Sequence, residues 1–122
     1  MATERSAQVT WTGDLMSGSG EIHEAPSGAF GPLQVLHAPG HSPGHLAFWW
    51  PELRFLIAGD GVATWPELCP GWHSFNLNRP QHQATLQRLA ALDAAIVGVG
   101  HGDPITEGAQ DKVHELASRP VP

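Results

Sequence analysis

The sequence predicts an α/β fold in which helices are layered on a sheet. Three observations carry this expectation. Short apolar runs at 33–37, 46–50, 54–58 and 95–99 each abut glycine or proline, as strands between turns do. Two later stretches, Asn78 to Leu92 and Thr106 to Ser118, carry apolar residues spaced for one face of a helix. The order of these stretches is strands, then helix, strand, helix.

The 122 residues suffice for one domain with a modest core. With 41% hydrophobic residues, 11 prolines and 14 glycines, many turns are expected. The formal charge of −6 argues against a phosphate-binding surface, so no nucleic-acid partner is expected. Cys69 is the one cysteine and has no intrachain disulfide partner. No apolar run approaches the roughly 20 residues a membrane helix needs, so no membrane partner is expected. A basic-then-apolar leader pattern is missing as well, which makes a cytoplasmic protein the expectation.

Residues 1–30 form a poorly defined N-terminal segment, and 31–119 the organised part. Within the first, Val9-Thr10-Trp11 reads as a short strand and Ser17-Gly18-Ser19-Gly20 as a flexible loop. Glu21-Ile22-His23-Glu24 reads as an edge strand stopped by Pro26, with His23 on a polar surface. Strand 33–37 follows, and His37 alternates with Leu33 and Val35, so it reads as a hydrogen-bonded core or rim histidine. Strands 46–50 and 54–58, joined by Pro51-Glu52-Leu53, read as an antiparallel hairpin. Trp49 and Trp50 are adjacent and must point to opposite faces. Residues 61–77 lack a period. They read either as a surface loop packed by Trp65 and Trp72 or as a loop bordering a substrate. Cys69 reads as a small inert apolar residue, and His73 as a loop-surface residue. Asn78 is placed to cap a helix with Pro80 in its first turn and Leu86, Leu89 and Ala90 on its buried side. His82, in that first turn, reads as solvated. Asp93 closes the helix, and strand 95–99 follows. Thr106 is expected to cap the last helix, with Val113, Leu116 and Ala117 inward, His114 outward and Pro120 as the stop.

Three loops carry the chemistry. His37-Ala38-Pro39-Gly40-His41-Ser42-Pro43-Gly44-His45 holds three of the eight histidines between two strands. Pro43-Gly44 prevents His41 and His45 from sharing a helix, which excludes the helical two-histidine zinc motif. A turn of this kind still presents imidazole well, and neutral imidazole is the commonest side-chain ligand of transition metals. Gly59-Asp60-Gly61 and Gly100-His101-Gly102-Asp103-Pro104 repeat the design, each with a metal-competent side chain just beyond an apolar strand.

P-G-H-S-P-G-H, then G-D-G, then G-H-G-D-P, in this order, resembles the metallo-β-lactamase superfamily of metal-dependent hydrolases. The resemblance covers about Leu33 to Ser118. It implies that His41 is a zinc ligand, that Asp60 is the catalytic carboxylate bridging two metals, and that His101 is a ligand of the second. It implies that His45 is a structural residue behind the site. The family's H-x-H-x-D-H motif is absent from this sequence. The chain therefore resembles the C-terminal half of such a domain: half of an αββα sandwich, with a mixed or antiparallel sheet and helices on one face. The cofactor implied is zinc, one or two ions in the family and a partial site here. A His41, Asp60, His101 set also resembles the facial triad of non-haem iron, and manganese is admissible.

The function expected is a metal-dependent hydrolase type. It would act on a small-molecule ester, thioester or lactone when completed by a missing half, and be weak or inactive alone. The alternative is a non-catalytic remnant that dimerises through its exposed sheet and at most binds a metal ion. The partner expected is a second copy or a complementing half-domain.

Overall fold

A computed structural model of the chain describes residues 8–14, 19–23 and 33–121. Its strands are β1 (Gln8–Thr12), β2 (Ser19–His23), β3 (Leu33–His37), β4 (Leu46–Trp50), β5 (Phe55–Ile57) and β6 (Ile96–Gly98). They form one sheet in sequence order. Neighbours are antiparallel from β1 to β5. β6 joins β5 in parallel, after the helix α1 (Arg79–Ala90). A second helix, α2 (Ala109–Ser118), follows β6. This is the mixed α/β arrangement the sequence predicts. No helix among the described residues is long and apolar enough to cross a membrane.

Alternation along the strands decides where the core lies. Trp49 pairs with Leu56, and Leu56 with Val97, which sets a continuous apolar row across β4, β5 and β6. Leu86 and Leu89 of α1 and Val113 and Leu116 of α2 belong to the same buried cluster. Leu56, Leu86 and Leu116 are fully buried, each a gain of about 1.5–3 kcal/mol over exposure. On the opposite face Leu46, Ile57 and Ile96 remain exposed, and Trp50 is half-buried. The two tryptophans thus part as the pleat requires. Further along the sheet, a Cβ on Gly20 would lie 2.9 Å from the Trp11 ring, so the indole rests directly on the glycine.

The β4–β5 hairpin turns through a 3-10 segment, Pro51–Leu53, and Arg54 leaves it at φ 49. The Arg54 guanidinium donates to the Asp93 carbonyl, tying this turn to the one before β6. α1 is capped as its sequence suggests: Asn78 accepts from the Gln81 backbone N–H at 3.0 Å.

Three expectations are corrected. Glu21-Ile22-His23 is an interior strand, because β1 pairs along its outer side. Ser19 and Gly20 belong to that strand and not to a loop. Pro26, Ser17-Gly18 and the His23 side chain lie outside the described residues. Thr106 does not cap α2, whose N-cap is Gly108 at φ 62. The reason is Ile105: it bridges to Val97 and is buried there, which holds the chain extended one residue before Thr106.

Candidate metal-site remnant and its cleft

His41 is delivered by a turn fastened along α1, from its N-cap to its last turn. The His37 carbonyl accepts from Arg88 Nη2 at 2.8 Å, and the Pro39 carbonyl from Thr85 Oγ1 at 2.6 Å. The Gly40 and His41 carbonyls accept from the Asn78 and Leu77 N–H groups. Gly40, at φ +133, passes so close that a Cβ there would sit 2.3 Å from the His82 Cα. Only glycine meets both demands. Within the turn, His37 is buried, its Nε2 2.6 Å from the Pro43 carbonyl oxygen. His37 is thus a hydrogen-bonded core histidine.

Asp60 sits in the 3-10 turn Gly59–Gly61 just beyond β5. Its backbone N–H donates to His45 Nε2 at 3.2 Å. His45 Nδ1 lies 3.1 Å from the Ala38 carbonyl oxygen, which can only accept. The proton of neutral His45 is therefore on Nδ1 and its lone pair on Nε2. Burial, above all, lowers the His45 pKa below 6.5, which favours that neutral form. His45 thus clamps the histidine turn to the Asp60 turn.

His101 follows β6. Its carbonyl accepts from Thr64 N–H at 2.9 Å, and its ring lies 4.7 Å from Trp72, centroid to centroid. The three loops bring His41, Asp60 and His101 together. Asp60 Oδ2 is 3.3 Å from His41 Nε2, and Asp60 Oδ1 is 3.3 Å from His101 Nε2. One carboxylate thus faces two imidazoles, one through each oxygen.

Asn76, which the sequence did not single out, decides the state of His41. Its Nδ2 donates to the Pro70 carbonyl at 3.2 Å, so its Oδ1 is left to accept from His41 Nδ1 at 3.1 Å. In neutral His41 the Nε2 lone pair is then turned toward Asp60 Oδ2. Acceptor faces acceptor, an arrangement that a bound cation relieves.

Beside these residues opens a cleft of about 280 Å3, walled by Trp72, Phe75 and Ala63. The 61–77 segment therefore both packs on its own tryptophans and borders the cleft. Cys69 lies to one side, its thiol pushed up by burial first and by Glu67 second, which suits an unreactive role. His73 is half-buried, and its carbonyl accepts from Arg79 Nε at 3.2 Å.

His82 departs most from expectation. It is 3% exposed, and neither ring nitrogen has a hydrogen-bond partner. The first turn of α1 packs beneath the Gly40 and Gly61 loops, so His82, on the same face as Leu86 and Leu89, becomes interior and not solvated. Burial lowers its pKa below 6.5. The nearby Pro70 and Gly61 carbonyls, outside hydrogen-bond geometry, oppose this, and burial is the larger effect.

The sequence of residues 12–101 matches the metallo-beta-lactamase superfamily. The chain belongs to that superfamily. Among solved structures it is similar to a metallo-beta-lactamase family protein of Thermus thermophilus, with 32% identity and a TM-score of 0.55 over 71% of this chain. It shares its fold with an archaeal superfamily protein of Sulfolobus tokodaii, at 22% identity and a TM-score of 0.55 over 70% of the chain. A metallo-beta-lactamase of Pontibacter korlensis shares the fold too, at 18% identity and a TM-score of 0.56 over 73%. The matched part spans 29%, 32% and 42% of those three proteins respectively.

The superfamily is generally metal-dependent, and the donors here are of the right chemistry. Their number is short. Each Asp60 oxygen is joined by one imidazole, whereas a catalytic zinc usually has about three protein ligands. Among the described residues no three His, Cys, Asp or Glu side chains gather around one ion position. These residues alone do not fit a catalytic metal centre.

Proposed function

We propose that the chain supplies one side of a metal-dependent hydrolase site and that turnover requires further metal ligands from outside the described residues. The carrying observation is Asp60, set between His41 and His101 at 3.3 Å from each. The reaction class is hydrolysis of a small ester, thioester or lactone. Metals of this kind supply an activated water and a Lewis acid when their coordination is complete. This chain's own contribution is to aim His41 through Asn76 and to hold Asp60 through His45. The test is hydrolysis of lactam, lactone, ester and thioester substrates by the chain with zinc, manganese or iron added. Little or no turnover is expected. Robust turnover abolished by Asp60→Ala would overturn the proposal and show that three ligands suffice.

A second reading is favoured by one observation: Leu46, Ile57 and Ile96 are exposed on the sheet face that the helices leave bare. In this reading the chain is a non-catalytic module that pairs with a second copy of itself through that face. A two-fold dimer is the commonest closed solution.

A further inference from the structure

The aromatic residues of 61–77 are not scattered along the loop. Trp65, Trp72 and Phe75 form a ladder of edge-to-face contacts, with ring centroids 6.3 Å apart for the first pair and 6.0 Å for the second. Trp72 continues the ladder onto His101. The ladder therefore ends on an imidazole that faces Asp60. Trp65 and Phe75 are each 64% exposed, a costly placement for large rings that serve packing alone. Leu77, next to Phe75 along the rim, is exposed as well.

The cleft beneath this wall carries a single formal charge among its described lining residues, the Asp60 carboxylate. No lysine or arginine lines it. In the metal-free chain a ligand carboxylate would meet no lysine or arginine there and would face Asp60, so it would lose its hydration without compensation. A flat apolar group would meet Trp72 and Phe75. The volume, about 280 Å3, falls just below the roughly 300–1,000 Å3 usual for small-molecule sites, so its enclosed part suits a small group.

We infer that this cleft selects small acyl compounds whose acyl group is an uncharged aromatic or branched alkyl group, with Trp72 and Phe75 as the residues that determine the preference. The inference rests on the hydrolase reading for the word acyl. The binding preference itself is independent of turnover.

The experiment uses the full chain without added metal. The probes are phenylacetamide, its 4-carboxy derivative and acetamide, followed through the tryptophan indole N–H resonances. Phenylacetamide should shift the Trp72 signal saturably, and the other two should bind at least several-fold more weakly. Trp72→Ala should weaken phenylacetamide by roughly tenfold, the scale of a lost aromatic pair plus its buried area. Phe75→Ala, at a largely exposed position, should weaken it several-fold and guards against a misfolded Trp72 variant. Equal binding of the 4-carboxy derivative would overturn the inference, as would phenylacetamide binding unchanged in Phe75→Ala. If the probes bind as expected and the chain completed by further metal ligands still hydrolyses no ester, thioester or lactone, the hydrolase reading fails and the aromatic site stands. If the completed site turns over its substrates without regard to the acyl group, the hydrolase reading stands and this inference fails.

Discussion

A Cβ placed on Gly100 would lie 2.0 Å from Asp60 Oδ1 and 3.1 Å from the Asp60 backbone nitrogen. No side chain fits at 100 while the carboxylate stays between its two histidines. Gly100 also donates its N–H to the Gly59 carbonyl at 2.7 Å, so the β5 and β6 loops are locked at this point. Gly100→Ala is expected to displace the Asp60 turn. Overpacking of this kind costs about 1–3 kcal/mol, so the variant should fold with a lowered melting temperature. Zinc uptake, measured calorimetrically, should fall as far as in Asp60→Ala. Uptake at the wild-type level would show that the carboxylate does not bind the metal from this position.

The shared carboxylate sets an order among ligand variants. Asp60 serves both imidazoles, whereas His41 and His101 each serve one oxygen. The chain should bind zinc weakly, His41→Ala and His101→Ala should each reduce binding, and Asp60→Ala should abolish it. Identical zinc titrations for wild type and all three variants would remove the site assignment.

Asn76 orients His41 without touching Asp60. Asn76→Ala removes the acceptor of the His41 Nδ1 proton and the link to the Pro70 carbonyl. Loss of such an orienting partner typically costs about 10–100-fold in metal affinity, so zinc binding should weaken by at least about tenfold. Asn76→Asp keeps an acceptor at the same place and should restore part of that loss. Equal affinities in all three proteins would show that the bond is incidental.

His82 gives the fold a pH dependence whose sign is fixed. Its folded pKa lies below the ordinary 6.5 because the ring is buried. Above 6.5 both folded and unfolded states are neutral at this position, and its contribution to stability is fully present. As pH falls below 6.5 the unfolded chain takes up the proton and the folded chain resists, so stability is lost until the folded pKa is passed. His82→Phe should reduce the drop in urea midpoint between about pH 7.5 and about pH 5.5. Removing two unpaired buried nitrogens should also leave stability at the higher pH nearly unchanged or raised. Parallel profiles for the two proteins would assign the pH dependence elsewhere.

If the bare sheet face pairs with a second copy, light scattering on a sizing column should give twice the 13.0 kDa of the chain. Ile57→Lys, on that face, should shift the species toward monomer. A clean monomer at high concentration, with no binding of an apolar-surface dye, removes the dimer.

How much of this was legible in the residues depends on the range of the interaction. Strands β3 to β6 and helix α1 follow from local patterning: short apolar runs bounded by glycine or proline, and an Asn78 cap with Pro80 behind it. The three histidine and aspartate loops were readable as well, because glycine beside a metal-competent side chain at a strand end is a local signal. The order of the motifs carried the superfamily, which the match over residues 12–101 shows.

Tertiary structure decided the rest. His82 lies four and seven residues before Leu86 and Leu89, on the apolar face of α1, yet a polar residue in a first turn reads as solvated. It is buried because Gly40 and Gly61, far away in sequence, close over the first turn. Thr106 has the chemistry of a cap, yet Ile105 is drawn into a bridge with Val97 and the helix starts later. Asn76 lies 35 residues from His41, and no spacing rule links an amide to an imidazole at that range. The same holds for Trp72 against His101. Local sequence determines which dihedrals and which faces a segment prefers. Which side chains meet is determined by the packing of segments that only the folded sheet brings together.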